Sequence, residues 1–390
     1  MRRKPIYLDY AATTPLDPRA RLRMLPFFDE AYGNPSSVHS WGQQAEAALE
    51  QSRARIAANL GCETDELVFT SGGSESDNLA LRGAAFAARQ GRAANHILIS
   101  PVEHPAVLET ARQLQRLHGF ELEFLPVDGF GRVEPGHLAE RLRPDTAVVS
   151  VIYGNNEIGS VNPISELGIL CRQQGIPFHT DALQAVAQLE LQVDELPVDL
   201  LSIGAHKFYG PKGVGALYVR RATPMIPIQT GGSHERGWRA GTSNVPLIVG
   251  MSEALEVVAE RRGTDIQDFG KLRDRIVDSV LGSLPGALLT GHPTERLPNH
   301  ASFVFEGVDG NQLLAALDLA GYACSSASAC KTGEPEPSEV LLAIGLDPLL
   351  AISSLRVTVG RQTTSVEVEA FLTSLPEAVS RVRAVEPAFP

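Results

Sequence analysis

The chain has 390 residues, of which 43% are hydrophobic and 21% are charged, a composition typical of a soluble globular protein with two or more domains. Acidic residues outnumber lysines and arginines, and the net charge of −12 argues against a general partner of nucleic acid or of anionic membranes. No stretch is apolar enough to span a bilayer and no apolar signal core follows the basic start, so a cytoplasmic protein is expected.

The first part of the chain predicts a site for an anion. Residues 5–15 predict a short strand and a turn, and Gly61 ends a helix over about 37–59. Phe69–Asp77 is a small-residue turn between a strand and a helix that runs through Ala88. Such a turn directs backbone N–H groups and the positive end of the helix dipole toward an anion such as phosphate. It matches neither a nucleotide P-loop nor the dinucleotide fingerprint, and a plain capped turn is the alternative.

Apolar strands alternate with helical patterns from here to about residue 220. The strands lie near 97–100, 121–125, 147–153, 177–180, 198–203 and 214–219. The intervening helices lie near 105–117, 135–142 and 163–174. This alternation predicts an α/β fold with a mostly parallel sheet that helices cover on both faces. Ligands of such sheets gather beyond the carboxyl ends of the strands.

Polar residues follow four of these predicted strands. They are Ser100–His104, Gly154–Glu157, Asp181–Gln184 and His206–Lys207. A helical or core role explains any one of them. Four polar strand ends beside a predicted anion site together favour a ligand pocket.

Lys207 is the most informative of these residues. The chain has five lysines, at 4, 207, 212, 271 and 331, and only Lys207 lies at the end of a buried strand. Burial lowers the pKa of an amine and makes it a better nucleophile. The alternative is a lysine whose stem packs on the sheet while its ammonium reaches water, and position alone does not separate the two.

The second half of the chain predicts a smaller α+β domain. Gly231–Thr242 is a glycine-rich, polar segment with a functional role or a contact to a second subunit. Helices are predicted over 245–262, 266–284, 312–320 and 366–382, with strands over 301–306 and 355–359. We therefore expect a large cofactor domain over 15–250, with residues 1–14 and 251–390 forming the small domain.

The four cysteines are no disulfide framework. Cys62 and Cys171 lie in or beside helical patterns that predict packing roles. Cys330 lies in a loop of small residues and prolines, about 324–338, next to Lys331. A thiol that is exposed beside a cation has a lowered pKa and can attack as a thiolate, whereas an accidental surface cysteine is the alternative.

Taken together, these motifs resemble the pyridoxal-phosphate cysteine desulfurases of the iron-sulfur cluster assembly type, within the aminotransferase class V family. The matching stretches are Tyr7–Pro15, Phe69–Asn78, Glu103–His104, Asn155–Gly159, His206–Lys207, Tyr209–Gly213, His234–Gly237, Ser325–Cys330 and Leu355–Arg361. They are spread in order over nearly the whole chain. The resemblance implies the aspartate aminotransferase-like fold of pyridoxal-phosphate-dependent transferases.

The same resemblance implies a role for each site residue. Lys207 would carry pyridoxal 5'-phosphate covalently, and Asp181 would face its ring nitrogen. The other implied contacts are His104 stacked on the ring, Gln184 at the phenolic oxygen, Gly73, Ser74 and His206 at the phosphate, Thr242 reaching the phosphate from the partner subunit of a homodimer, and Asn156 and Arg356 at the substrate carboxylate. Family members usually have serine three positions before the lysine, and this chain has Gly204.

The implied reaction converts L-cysteine to L-alanine. Lys207 would move the α-proton, and the Cys330 thiolate would take the sulfur as a persulfide and pass it to acceptors such as a cluster scaffold. No resident metal is predicted, and a contact of Cys330 with an iron-sulfur cluster would be transient. The rivals are an aminotransferase or a selenocysteine lyase on the same fold, and a catalytically silent binding protein.

Overall fold

The computed structural model describes residues 5–326 and 336–384. Its strands are β1 (Ile6–Tyr7), β2 (Leu67–Thr70), β3 (His96–Ile99), β4 (Glu121–Phe124), β5 (Thr146–Ser150), β6 (Phe178–Asp181), β7 (Leu200–Gly204), β8 (Gly215–Val219), β9 (Ala287–Leu289), β10 (His300–Phe305), β11 (Tyr322–Ala323) and β12 (Ser354–Thr358). Its α-helices are α1 (Pro18–Met24), α2 (Pro26–Asp29), α3 (Ser40–Leu60), α4 (Gly73–Arg92), α5 (Pro105–His118), α6 (Pro135–Arg141), α7 (Ile164–Gln173), α8 (Val245–Ser283), α9 (Gly310–Leu319), α10 (Glu339–Ala343), α11 (Pro348–Ala351) and α12 (Ser365–Arg383). None of the helices within these ranges is both long and apolar enough to cross a membrane.

The central sheet has seven strands in the order β2-β8-β7-β6-β5-β3-β4. Strand β8 pairs antiparallel with both β2 and β7, and the other neighbours pair parallel. The predicted mostly parallel α/β sheet is therefore confirmed. The carboxyl ends of its parallel strands lie at the same edge of the sheet, and the predicted polar residues follow there.

Helices cover both faces of this sheet, as the alternation of strands and helices predicts. In β3, Ile97 and Ile99 belong to one hydrophobic cluster and Leu98 to another, because successive side chains of a strand point to opposite faces. Helices α4 and α5 supply the first cluster, whereas α3, α7 and the start of α8 supply the second. The strands are consequently buried on both sides.

Local signals set the ends of the helices. Helix α3 ends at Gly61, whose φ of 67° is a conformation that glycine adopts without steric cost. Helix α5 begins at His104, whose Nδ1 accepts the N–H of Ala106 at 3.1 Å, and Pro105 occupies its first position. His104 is thus held rigidly at the start of a helix, just beyond β3.

The structure corrects one prediction, because residues 245–262 and 266–284 form one helix rather than two. Helix α8 runs unbroken from Val245 to Ser283. Gly263 lowers helix propensity by only about 1 kcal/mol relative to alanine. Its neighbour Asp265 is buried and accepts a hydrogen bond from Arg361 Nε at 2.7 Å, which ties the middle of the helix to the chain after β12.

The C-terminal part has its own hydrophobic cluster around the three-stranded antiparallel sheet β12-β10-β9. Helices α9, α12 and the second half of α8 pack on it. Strand β1 pairs with β11, so the first described residues join this part of the molecule. The predicted boundary at residue 250 falls inside α8, and the division into two domains stays a prediction.

Candidate active site

Lys207 lies in a short turn directly after β7, at the edge where the parallel strands end. Its Nζ donates hydrogen bonds to the carbonyls of Ala11 at 2.6 Å and Ala12 at 2.9 Å. Burial, and next the nearby Arg356, lower the pKa of Lys207 to about 8, against an opposing effect of Asp181. At pH 7 about a tenth of the amine is therefore neutral, a far larger fraction than for a lysine in water.

Asp181 and His104 lie on the side of the pocket formed by β3 and β6. Asp181, at the end of β6, is buried and accepts the N–H of Leu183 at 2.9 Å. Burial raises the pKa of Asp181, and His104 and Lys207 partly offset that effect. Burial lowers the pKa of His104, so its ring is neutral and offers a flat, uncharged face. This pair suits an aromatic ligand with a protonated nitrogen.

The predicted anion site is a cavity of about 400 Å³ at the start of α4. It is lined by Ala12, Thr13, Ser71–Glu75, His206 and Lys212–Val214. A Cβ on Gly73 would lie 2.2 Å from Leu183 Cδ2, so a larger residue at this position would force the Leu183 side chain to shift. Burial and the neighbouring cations Lys207 and Lys212 lower the pKa of His206 to about 4, which leaves a neutral imidazole.

Arg356, on β12, is 6% exposed and lies close enough to Lys207 to lower the pKa of that amine. Its Nη1 donates to the carbonyl of Asn156 at 2.8 Å, and its Nη2 donates to Asp9 Oδ1 at 2.8 Å. Among the described residues, its Nε finds no hydrogen-bond partner although it is buried. A buried N–H without an acceptor is costly, so this guanidinium is prepared for an anionic ligand.

Gln184 ties the N-terminal segment to the surroundings of Lys207. Gln184 Nε2 donates to the carbonyl of Ala11 at 2.7 Å, the same carbonyl that Lys207 binds. The buried amide therefore holds the segment Tyr7–Pro15 against the site. The sequence predicted a strand and turn here, but gave no sign that its carbonyls fix the lysine.

The glycine-rich segment Gly231–Thr242 is anchored by a buried ion pair. Arg53 donates to both oxygens of Glu235 at 2.8 Å, and Glu235 also accepts the N–H of Phe69 at 2.9 Å. The pair holds Glu235 and Arg236 at φ values of 46° and 55°, which non-glycine residues rarely adopt. Thr242, at the end of the segment, is exposed.

The predicted site residues therefore fall into two groups. The structure places Gly73, Ser74 and His206 around the cavity at the start of α4. It links Lys207 electrostatically to His104, Asp181 and Arg356, and hydrogen bonds join Gln184 to the Ala11 carbonyl that Lys207 binds and Arg356 to the carbonyl of Asn156. Thr242 is exposed at the end of the glycine-rich segment, and Cys330 lies outside the described residues. The roles assigned to all of these residues stay predictions.

Sequence reasoning missed Asp77, Asp9, Lys212 and Glu157 as residues with roles of their own. Asp77 is 1% exposed, and its carboxyl lies within 4.8 Å of a ring nitrogen of His104 and of a carboxylate oxygen of Asp181. In the part of the chain that is described, neither of its oxygens lies within hydrogen-bonding geometry of a donor. Burial, and then Asp181, raise the pKa of Asp77 well above its usual value. The signal in the sequence that could have identified Asp77 was an acidic residue in the second turn of the helix predicted after the anion-binding turn.

Comparisons with known proteins agree with this geometry. A sequence model of the aminotransferase class V family matches residues 6–371. The cysteine desulfurase IscS of Dictyoglomus turgidum is 45% identical over 99% of this chain and 97% of its own. A solved NifS-like protein superposes with a TM-score of 0.90 at 34% identity, over 97% of this chain and all of the other. SspA in complex with cysteine gives a TM-score of 0.81 at 33% identity, over 92% of this chain and all of the other.

The basicity of Lys207 should depend on Asp181. Asp181 raises the pKa of Lys207, so Asp181→Asn should lower it below about 8 and speed acylation of the free amine several-fold at pH 7. Acylation rates against pH, followed by peptide mass spectrometry on protein freed of ligands, resolve Lys207 from the four other lysines. Asp194→Asn removes an exposed carboxyl and is the matched control. An unchanged Lys207 profile in Asp181→Asn would contradict the assignment.

Asp77 should make the fold less stable as the pH rises. Its folded-state pKa is raised, so the protonated acid stabilises the fold fully at low pH, and that contribution is lost as the pH climbs from the usual aspartate range through the raised pKa. Asp77→Asn keeps the shape without the charge and should be more stable at pH 8 by about 1–2 kcal/mol. Urea unfolding at pH 5 and pH 8 measures this, and an equal loss of stability at both values would count against it.

Proposed function

The chain belongs to the aminotransferase class V family and is a cysteine desulfurase, and on this basis we propose how its residues divide the reaction. The enzyme converts L-cysteine to L-alanine, with the sulfur held as a persulfide on Cys330. One observation carries the proposal: the partly neutral amine of Lys207 interacts electrostatically with the buried carboxyl of Asp181 and with Arg356, whose buried Nε has no hydrogen-bond partner among the described residues.

The residues present fit pyridoxal 5'-phosphate. The glycine-rich start of α4 offers N–H groups to the phosphate, with Ser74 and the neutral His206 as further donors. Asp181 suits a protonated ring nitrogen, His104 suits the ring face, and Gln184 suits the phenolic oxygen. When bound, the cofactor supplies an electron sink for the charge left on the substrate's α-carbon.

Arg356 and Asn156 select an amino-acid substrate. The guanidinium is oriented by Asp9 and by the carbonyl of Asn156, and its remaining Nε–H is a donor for the carboxylate of L-cysteine. Lys207 is the general base for the α-proton, because its pKa of about 8 lets the amine both take up and return a proton near neutral pH.

Cys330 removes the sulfur. Its thiolate attacks the sulfur of L-cysteine, so that an S–S bond forms and the substrate C–S bond breaks. The electron pair of the broken bond stays on carbon, which takes up a proton and becomes the methyl group of L-alanine. The step needs no external oxidant, since the transferred sulfur is oxidised to the persulfide level while the β-carbon of the substrate is reduced to a methyl group.

We also propose that the enzyme works as a cytoplasmic homodimer. The exposed Thr242 on its anchored segment supports a contribution to the phosphate site of a second subunit. The similarity to the cysteine desulfurase IscS of Dictyoglomus turgidum supports sulfur acceptors of the cluster scaffold type. The thiols of Cys62, Cys171 and Cys324, which are free within the described ranges, are consistent with a reducing compartment.

Cys330 should be the residue that receives sulfur. Treatment with L-cysteine should add one sulfur atom to the peptide that contains Cys330, and Cys330→Ser should lose both this mass and sulfide release, by at least about 100-fold. Cys324→Ser is the matched control, because burial raises the pKa of the Cys324 thiol and makes it a poor nucleophile. Full sulfide release by Cys330→Ser would overturn the persulfide mechanism.

Gly204→Ser should tighten cofactor binding. Gly204 has an extended backbone, and a Cβ added at this position would lie 3.4 Å from the amide nitrogen of Gly73 and 3.3 Å from Leu183 Cδ2. A serine hydroxyl can therefore reach the phosphate site once Leu183 shifts by a few tenths of an ångström. Titration of the protein freed of cofactor should show about 5-fold tighter binding, the effect of one added hydrogen bond. Gly204→Ala tests packing alone, and equal affinity of the two variants would contradict the prediction.

A further inference from the structure

The turn that carries Asn156 is rigid and is tied to Arg356. The side-chain oxygen of Asn155 accepts the N–H groups of Glu157 at 2.8 Å and Ile158 at 2.9 Å, and its Nδ2 donates to the carbonyl of Val102 at 2.8 Å. The peptide carbonyl of Asn156 accepts from Arg356 Nη1. Glu157 thus directly follows the peptide group that orients the guanidinium of Arg356.

Glu157 connects this turn to the chain that follows Cys330. Its carboxyl accepts the hydroxyl of Ser338 at 2.5 Å. Ser338 is 6% exposed, and its Oγ also accepts the N–H of Leu341 at 3.3 Å, which caps α10. Ser338 lies eight positions after Cys330 in the sequence, at 338 against 330. These two hydrogen bonds of Ser338 therefore fix the chain at the C-terminal end of the loop of about 324–338 that contains Cys330, which we call the Cys330 segment.

We propose that Glu157 is a positioning residue that fastens the C-terminal end of the Cys330 segment to the turn that holds the substrate carboxylate. The inference rests on the proposed function, since it concerns the transfer of sulfur to Cys330. Glu157 acts through Ser338, and its role is to keep the end of the segment at a constant place relative to Arg356.

The surroundings of Glu157 make this fastening sensitive to pH. Burial raises the pKa of Glu157 to about 7, whereas Ser338 and Arg356 lower it and Glu339 raises it. The adjoining cavity is also lined by Glu103 from the turn after β3, Glu109 from α5, and Glu336. Arg112 on α5 pairs with Glu339 at 2.8 Å and partly offsets these acids.

The sign follows from the direction of the hydrogen bond. The Ser338 hydroxyl donates to the Glu157 carboxyl and lowers its pKa, so this contact favours the carboxylate, whereas burial favours the acid. The contact is therefore strongest when Glu157 is ionised and is weakened as the pH falls through about 7. A glutamine at this position keeps an acceptor for the Ser338 hydroxyl and carries no charge, so it should fasten the segment at every pH.

The test compares Glu157→Ala, Ser338→Ala and Glu157→Gln in the cofactor-loaded enzyme. The two alanine variants should slow the appearance of sulfur on Cys330 in a single turnover by about 10-fold, with the KM for L-cysteine unchanged. Glu157→Gln should restore the rate and remove the part of its pH dependence centred near 7. Glu166→Gln, which removes an exposed charge that neither lines this cavity nor shifts the pKa of Glu157, is the matched control and should transfer sulfur at the wild-type rate.

A second measurement does not depend on activity. Hydrogen exchange of the peptide covering residues 336–343 should be faster in both alanine variants and unchanged in Glu157→Gln. The inference is overturned if the alanine variants transfer sulfur and exchange hydrogen at wild-type rates, or if Glu157→Ala raises KM as much as it slows transfer. If the wild-type enzyme itself places no sulfur on Cys330, the proposed function fails instead, and the exchange data still test the contact between Glu157 and Ser338.

Discussion

The site depends on a lysine amine that is kept from full protonation. A lysine in water holds its proton far above neutral pH, and such an amine can neither bind a carbonyl carbon nor take a proton from carbon. Burial and Arg356 reduce the pKa of Lys207 to about 8, and Asp181 prevents a further fall. The carbonyls of Ala11 and Ala12 hold the amine at the end of β7. The placement of the N-terminal segment is therefore as important to this lysine as its own strand.

The same segment joins the two halves of the pocket. Asp9 pairs with Arg356 from the C-terminal sheet, while the carbonyl of Ala11 accepts from Gln184 and Lys207 of the central sheet. Lys207 and Arg356 repel each other, so their separation must be fixed by other groups. Asp9 supplies the countercharge, and the segment around Ala11 supplies the spacing. A substrate held through its carboxylate is then held relative to Lys207.

The sequence predicted those features that depend on local pattern. The strands, the helix ends at Gly61 and Pro105, and the convergence of polar residues at strand ends follow from periodicity and from turn chemistry. The partnerships of Asp9 with Arg356 and of Glu157 with Ser338 were not predictable, because they join residues 347 and 181 positions apart. Asp77 was missed because its importance comes only from burial beside Asp181. The break predicted near Gly263 was wrong because a tertiary contact, Arg361 to Asp265, outweighs a weak local preference.

The reaction requires two nucleophiles whose pKa values respond to burial in opposite directions, and the chain carries them on different segments. Lys207 needs burial, since desolvation is what lowers the pKa of an amine. A thiol responds in the opposite direction: burial raises the pKa of Cys62 to about 12 and also raises the pKa values of Cys171 and Cys324. A buried cysteine next to Lys207 would remain a thiol and could not attack. The sulfur acceptor therefore has to come from a polar segment outside the core, and Cys330 beside Lys331 is the cysteine whose sequence setting meets that requirement.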